Sequence, residues 1–237
     1  MTMMIEILFP EVCGLFGDRQ NAAYLEKTLP DAEFHYTALT EEPYFVSHNV
    51  DMIYIGSMTE TIQRRVIEKL KPYKERLLGL INKDTPILAT GNAGEVFMKH
   101  IDYVTEELSV DGLGIFDLTV KTDLFARRNG KVIGDADGIT VVGFRSQFSS
   151  VYGDNSQNFF LKCRRGVGIH QESTLEGVRM RNFICTQLIG PIFPLNPLFT
   201  EYFISLAGVK ATAAFRDAAM DAYNQRVKEF LDPNIAF

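Results

Sequence analysis

The feature that most constrains this chain is residues 85–99, where an apolar strand runs directly into a Gly-bearing turn. Ile87, Leu88 and Ala89 form the predicted strand, and the pattern after the turn predicts a helix that begins near Ala93. Many α/β enzymes place a nucleophile on such a turn, because it holds a side chain clear of the sheet while backbone amides point at the developing oxyanion. This turn contains neither Cys nor Ser.

The rest of the chain predicts one α/β domain over residues 1–237, built on a mostly parallel sheet with helices on both faces. Apolar runs at 4–9, 33–36, 51–55 and 139–144 predict strands, the last entered through a hairpin turn at 135–138. Residues 60–80 predict a helix broken at Pro72, and residues 211–231 predict an amphipathic helix.

Composition excludes several classes of partner and compartment. The net charge of −6 and the pI near 5.3 give no basic face for nucleic acid or for an anionic membrane surface. No apolar run approaches the roughly 18 residues that span a bilayer, and residues 1–10 do not resemble a signal peptide. Three widely spaced cysteines suggest neither a disulfide framework nor a zinc site. We therefore expect a cytoplasmic protein without a metal or an organic cofactor.

Two further segments carry motifs. Residues 14–21 read Gly-Leu-Phe-Gly-Asp-Arg-Gln-Asn, and residues 182–197 read Asn-Phe-Ile-Cys-Thr-Gln-Leu-Ile-Gly-Pro-Ile-Phe-Pro-Leu-Asn-Pro. With residues 85–99 they resemble the class I glutamine amidotransferases of the cobyric acid synthase type, which include the amidotransferase subunit of lipid II isoglutaminyl synthase. The resemblance runs from Leu8 to Pro197. It implies a three-layer, flavodoxin-like fold and a partner subunit that is an ATP-dependent ligase or synthetase.

The chain departs from the family pattern at the residues that carry its chemistry. The family writes Ile-Cys-Gly-Gly-Tyr-Gln at the turn, which puts Gly91 at the catalytic Cys and Glu95 at the Gln. Ile189 stands at the catalytic His, within a segment whose flanking residues match. Amide hydrolysis in this family needs a thiolate to attack and an imidazole to move protons. The resemblance therefore predicts a degenerate member that does not hydrolyse glutamine and serves as a binding or regulatory partner of a ligase-type subunit.

Other family positions have changed too. Residues 143–147 fall on the family's Gly-Phe-Glu-Asn-His and match only its first two residues, and of the family's Gly-Gly-Gly-Gln-Asp after the third strand only Gly56 is kept. Gln63 matches a family Gln, but a lone Gln on a surface helix is ordinarily solvated. Cys13 could be exposed in its loop, whereas Cys185 is expected to be a small buried hydrophobe.

Two alternatives stay open for the site. The first is that the chain binds a small ligand around the turn, and the candidate residues for this are Gly56, Asn92, Glu95, Ser146 and Gln147. The plainer interpretation of Glu95 is a carboxylate at a helix start in contact with water. The second alternative is an enzyme that kept the fold and changed its reaction, using these polar residues for amidotransferase-like C–N chemistry. It predicts an enclosed polar cavity with a shifted carboxyl pKa.

Overall fold

A central six-stranded sheet organises the computed structural model, which describes residues 2–235. Its strand order is β13-β14-β4-β3-β1-β2, and every neighbouring pair is parallel except β13 with β14. These strands are β1 Met4–Leu8, β2 Glu33–Thr37, β3 Met52–Ile55, β4 Ile87–Thr90, β13 Val178–Met180 and β14 Phe183–Thr186. The predicted α/β class with a mostly parallel sheet is confirmed.

Helices cover both faces of this sheet, because successive strand residues point to opposite sides. Ile53 and Ile55 pack towards one core, whereas Met52 and Tyr54 pack towards the other. Helices α2 (Glu60–Leu70) and α3 (Lys74–Asn82) cover the first face. The second is covered by α1 (Arg19–Thr28), α4 (Ile192–Leu195) and α5 (Pro197–Ser205). The predicted three-layer arrangement is therefore confirmed.

Two smaller sheets are inserted between β4 and β13. One has the order β10-β7-β5-β6, from β5 Met98–Tyr103, β6 Leu108–Asp111, β7 Phe116–Thr122 and β10 Ser149–Tyr152. The other has the order β12-β11-β8-β9, from β8 Arg128–Ala136, β9 Ile139–Gln147, β11 Leu161–Arg165 and β12 Leu175–Glu176. Helix α6 (Arg216–Leu231) packs on β8 and β9 through Tyr223 and Phe230.

Several local predictions are confirmed. The helix predicted over 60–80 is interrupted by a 3₁₀ turn at Lys71–Tyr73, where Pro72 cannot donate a helical hydrogen bond. The hairpin between β8 and β9 turns through Asp137 (φ 47°) and Gly138 (φ 80°), a conformation that favours this pair of residues.

Within residues 2–235, no helix is long and apolar enough to cross a membrane.

Two helix predictions are wrong in part. The helix expected to begin near Ala93 is a seven-residue 3₁₀ helix, Gly91–Phe97, which leads directly into β5. Its residues are almost all buried, so the segment is shaped by packing on every side rather than by an amphipathic period. The helix predicted from residue 211 begins only at Arg216, because Ala214 hydrogen-bonds to Tyr24 and Thr28 on α1 and so holds the chain in a non-helical path.

Candidate functional site

The turn after β4 lies at the carboxyl edge of the central sheet, with β3 and β14 on either side. Parallel α/β sheets bind their ligands at this edge. Gly91 is the first residue of the turn and has φ +59°, a left-handed conformation that side chains rarely adopt. This turn, the elbow, resembles the sharp turn on which α/β enzymes present a nucleophile, but glycine adopts it without strain and carries no side chain.

Little space is left for a side chain at Gly91. A Cβ there would lie 2.7 Å from Cβ of Ser57 and 3.0 Å from Cγ2 of Ile189. Ile189 is 5% exposed and is fixed by a backbone N–H that donates to Phe144 O over 2.9 Å. The family resemblance aligns Gly91 and Ile189 with two residues of one catalytic site, and the structure places these two residues next to each other. The groups that face each other there are the Cα of Gly91 and the apolar side chain of Ile189.

A cavity of about 170 Å³ opens beside this contact. Among its described lining residues there is neither Cys nor His, and the lining consists of Leu15, Phe16, Ser57, Met58, Thr59, Glu60, Gly91, Asn92, Glu95, Thr122, Ser146, Gln147, Phe148, Ser149 and Ile189. Four of the five predicted ligand-binding candidates thus line one cavity. Gly56 does not: a Cβ there would meet Cys13 O at 2.7 Å, so this residue packs behind the wall.

Glu95 is the charged group at the centre of this site. It is 2% exposed, so the expectation of a carboxylate in contact with water is wrong. Its Oε2 accepts a 2.9 Å hydrogen bond from Gln63 Nε2, and its Oε1 accepts one from the Ser149 hydroxyl. Burial raises the pKa of Glu95 to about 7, and the nearby Glu60 carboxylate adds to the rise, while the bonds from Ser149 and Gln63 oppose it. The carboxyl can therefore gain and lose a proton near neutral pH.

Gln63 holds Glu95 in place, and the expectation that it is solvated is wrong. It is fully buried, its Nε2 also donates to Asn92 O at 2.7 Å, and its Oε1 accepts from the Tyr103 hydroxyl at 2.7 Å. The sequence did contain a signal: Gln63 lies three, four and seven residues before Val66, Ile67 and Leu70, on the apolar face of α2. No comparable pattern marked Tyr103 or Ser149.

Asn92 joins the turn to the loop after β3. Its Oδ1 accepts from the Met58 N–H at 2.9 Å, and its Nδ2 donates to Met58 O at 2.8 Å. This two-bond contact closes the loop over the elbow. Met58 is 2% exposed and packs in the core with Cys13, so neither its side chain nor the Cys13 thiol is a free surface group.

Asp18 anchors the wall of the cavity that Ser57 forms. It is fully buried, and its Oδ2 accepts from the Ser57 N–H and from the Thr90 hydroxyl, each at 2.8 Å. Asn21 Nδ2 donates to the Tyr54 hydroxyl at 2.8 Å, and that hydroxyl donates to Asp18 O. Burial raises the pKa of Asp18, although these bonds favour its charged form. The motif at residues 14–21 therefore clamps the ends of β3 and β4 together.

A cation stands beside the cavity. Arg127 is exposed, donates to the Ser146 hydroxyl at 2.7 Å, and lies over the rings of Phe16 and Phe148 at 5.9 and 5.5 Å. Cation–π contacts of this kind hold a guanidinium close to an aromatic rim. The site therefore combines a buried carboxyl within the cavity with a positive charge near its mouth.

The three thiols lie outside the cavity lining and are poorly suited to attack. Burial raises the pKa of Cys13 and that of Cys185, and it raises the pKa of Cys163 to about 12. A thiol in that state holds little thiolate near neutral pH. Cys13 is 3% exposed, so its expected exposure is wrong, whereas the expectation that Cys185 is buried is confirmed.

Comparison with known proteins finds a curated relative and several solved structures with the same fold. No family model matches the chain. The glutamine-hydrolysing lipid II isoglutaminyl synthase subunit GatD of Staphylococcus aureus is 26% identical over 173 residues, which cover 72% of this chain and 69% of that protein.

Solved structures show the same fold. A glutamine amidotransferase crystal structure aligns with a TM-score of 0.58 and 16% identity, covering 86% of this chain and 99% of the other. The glutaminase domain of Trypanosoma brucei CTPS aligns with a TM-score of 0.51 and 13% identity, covering 91% of this chain and 97% of that one.

Proposed function

Because this chain belongs to the class I glutamine amidotransferase-like family, we propose that it is a member that does not hydrolyse glutamine and instead binds a partner subunit or a small ligand. The observation that carries the proposal is the contact between Gly91 and Ile189. By the resemblance, Gly91 stands at the position of the nucleophile and Ile189 at that of its base. Gly91 has only a hydrogen atom there, and the alkyl side chain of Ile189 fills the space next to it.

The chemistry of amide hydrolysis explains why this contact matters. A nucleophile must attack the carboxamide carbon, and an acid must protonate the departing ammonia. When the members of such a unit act together, removing the nucleophile alone costs orders of magnitude in rate. Neither Gly91 nor Ile189 can supply either function.

Hydroxyls near the turn are poor replacements. Ser57 Oγ donates to Leu15 O at 3.1 Å, and Ser149 Oγ donates to Glu95. An activated serine needs a base that takes its proton during attack on the substrate. The carboxyl in contact with Ser149 is that of Glu95, and burial favours its protonated form.

A ligase-type partner is the second part of the proposal. The Staphylococcus aureus relative is named as a subunit of a synthase, and by analogy this chain would pair with an ATP-dependent ligase or synthetase subunit. Three unpaired thiols fit a reducing cytoplasm as the compartment of that complex. Co-elution of the purified chain with the ligase-type subunit encoded nearest to it would support the pairing, and separate elution at micromolar concentration would contradict it.

A second candidate function is a changed reaction in which Glu95 serves as general acid or base. It is favoured by one observation: a carboxyl whose pKa is raised to about 7, in contact with the Ser149 hydroxyl, inside a cavity. Under this alternative, Glu95→Gln abolishes turnover of any substrate found for the complex, whereas under the binding role it changes ligand affinity only.

The experiment that tests the main proposal is covalent capture. A glutamine analogue bearing an electrophilic carbon is incubated with the protein, and the intact mass is measured. We expect an unchanged mass, with or without the ligase-type subunit, because the described thiols are buried or half-buried and weakly acidic. A stoichiometric adduct, blocked by glutamine and mapped to one residue, would overturn the proposal and identify a replacement nucleophile.

A further inference from the structure

A second cavity, of about 310 Å³, shares no described lining residue with the first. It lies between β8 and the loop that follows β11. It is lined by Arg128, Asn129, Gly130, Lys131, Val132, Arg145, Arg165, Gly166, Val167 and Gln171. Four of these described lining residues are cationic and none is acidic, in a chain whose net charge is −6. The local field therefore opposes the charge of the whole molecule and favours an anion.

Arg145 is the buried cation of this cavity. It is 4% exposed, and its guanidinium donates to neutral acceptors: Val167 O at 3.2 Å, Gly168 O, and Gln187 Oε1 at 2.6 Å. Its Nε–H has no acceptor among the described residues. A guanidinium removed from water without a carboxylate in contact is costly, and a buried donor without an acceptor adds to that cost.

The nearest acid does not neutralise Arg145 by direct contact. Glu176 attracts it through space, but Glu176 Oε2 accepts from the Thr186 hydroxyl at 2.9 Å and Oε1 from the Gln187 N–H at 2.7 Å. Glu95 attracts it as well, whereas Arg128 repels it. The family pattern places Glu at position 145, so this chain has reversed the charge there. Arg145 and Arg128 are therefore two positive charges that repel each other at the border of the same cavity.

The backbone leaves room for a ligand between these groups. Gly130 pairs with Arg145 across β8 and β9, and a Cβ at Gly130 would meet no atom within 4 Å. On the far side, Gly166 has φ +92°, and a Cβ there would lie 2.5 Å from Lys131 O. The loop is thus held tightly against β8 at one end, while the space over Gly130 stays open.

We propose that this cavity binds a phosphate-bearing small molecule, with the phosphoryl group between the guanidinium groups of Arg128 and Arg145. Planar guanidinium forks match phosphate oxygens in geometry and stay charged at any physiological pH. A cavity of about 310 Å³ is larger than a phosphate ion needs, so a phosphate monoester with a small organic group fits the space better than the free ion. This site is separate from the elbow and does not depend on the function proposed above.

Calorimetric titration of the full chain with glucose 6-phosphate at low ionic strength tests the proposal, with inorganic phosphate, citrate and glucose as comparison ligands. We expect glucose 6-phosphate to bind at least as tightly as inorganic phosphate, citrate to bind more weakly than either, and glucose not to bind. Gly130→Val, which fills the open space, and Arg128→Gln, which removes one cation, should each weaken binding at least tenfold.

Arg164→Gln is the matched control, because Arg164 lies on the neighbouring strand β11, pairs with Asp135, and does not line the cavity. It removes the same charge and should leave the affinity unchanged. The proposal is overturned if neither phosphate ligand binds, if Arg164→Gln weakens binding as much as Arg128→Gln, or if citrate binds more tightly than both phosphates. Amide shifts in NMR spectra on addition of phosphate should centre on residues 128–132 and 166–168, and shifts centred on the elbow would contradict the assignment.

Discussion

The Cγ2 atom of Ile189 lies 3.0 Å from the point where a Cβ would stand on Gly91. This contact joins the turn after β4 to the segment after β14, which are more than ninety residues apart in sequence. The resemblance to class I glutamine amidotransferases aligns these two positions with the nucleophile and its base. Under the proposed function, an apolar contact stands where those groups would react.

Placing a thiol at position 91 should cost stability. Gly91→Cys places a Cβ 2.7 Å from Cβ of Ser57 on a residue with φ +59°, so we expect a loss of about 1–3 kcal/mol in the free energy of unfolding. Urea denaturation measures this. Gly79→Cys is the control, because a Cβ there meets nothing within 4 Å and helix α3 tolerates it. Equal stability of the two variants would contradict the packing described at Gly91.

The buried carboxyl should make stability depend on pH. The pKa of Glu95 is raised from 4.5 to about 7 in the folded protein, so between these values the folded state holds a proton that the unfolded state has released. Its contribution is therefore fully present below pH 4.5 and is lost as the pH rises through 7. Glu95→Gln should remove this loss. Between pH 4.5 and about 7, the free energy of unfolding of the variant should therefore rise relative to that of the wild type by up to about 3 kcal/mol.

Urea denaturation at several pH values measures that difference, and Glu75→Gln, on the exposed side of α3, is the control. A difference between Glu95→Gln and the wild type that does not change between pH 4.5 and 7.5 would contradict the buried, protonated carboxyl.

Gln63 should matter more than an ordinary helix residue. Gln63→Ala leaves the Tyr103 hydroxyl without its acceptor and Oε2 of Glu95 without its donor, so we expect a loss of about 2–4 kcal/mol in the free energy of unfolding. It should also raise the pKa of Glu95 further, because a bond that favours the charged form is gone. Carboxyl chemical shifts in a pH titration would report this change. Gln20→Ala, on the exposed side of α1, should leave both stability and titration unaltered.

The clamp made by Asp18 gives a fourth prediction. Asp18→Ala leaves the Ser57 N–H and the Thr90 hydroxyl buried without their acceptor, and we expect a loss of about 2–4 kcal/mol in the free energy of unfolding. Tyr54→Phe removes one hydroxyl from the same network and should cost about 1 kcal/mol. If Asp18→Ala costs no more than Tyr54→Phe, the carboxylate is not the anchor of this wall.

The sequence predicted the sheet well because its strands are short apolar runs buried on both faces. It predicted the pairing of Gly91 with Ile189 through matches that flank each position, although the two are far apart in the chain. It could not predict the burial of Glu95, because that depends on Ser149 and Tyr103, which come from inserted sheets with no periodic link to the turn. The 3₁₀ helix at Gly91–Phe97 was missed for a similar reason, since tertiary packing on all sides overrides local propensity.

Arg145 illustrates the same limit. Its mismatch with the family pattern was visible in the sequence, yet nothing there indicated that its guanidinium would be buried or that it would border a cavity with Arg128. That arrangement follows from the register of β8 against β9, which places Gly130 opposite Arg145. Register between inserted antiparallel strands is set by their turn and by side-chain packing, and neither can be calculated from a single segment.

The central claim, that the chain does not hydrolyse glutamine, is tested most directly by measuring glutamate and ammonia released from glutamine. The assay uses the purified protein alone and with the ligase-type subunit encoded nearest to it, and the same mixtures without the protein are the blank. We predict that release by the wild type equals that of the blank in both conditions, since neither Gly91 nor Ile189 can attack or protonate the amide. Sustained release above the blank, abolished when a single residue of the cavity is replaced, would contradict the account.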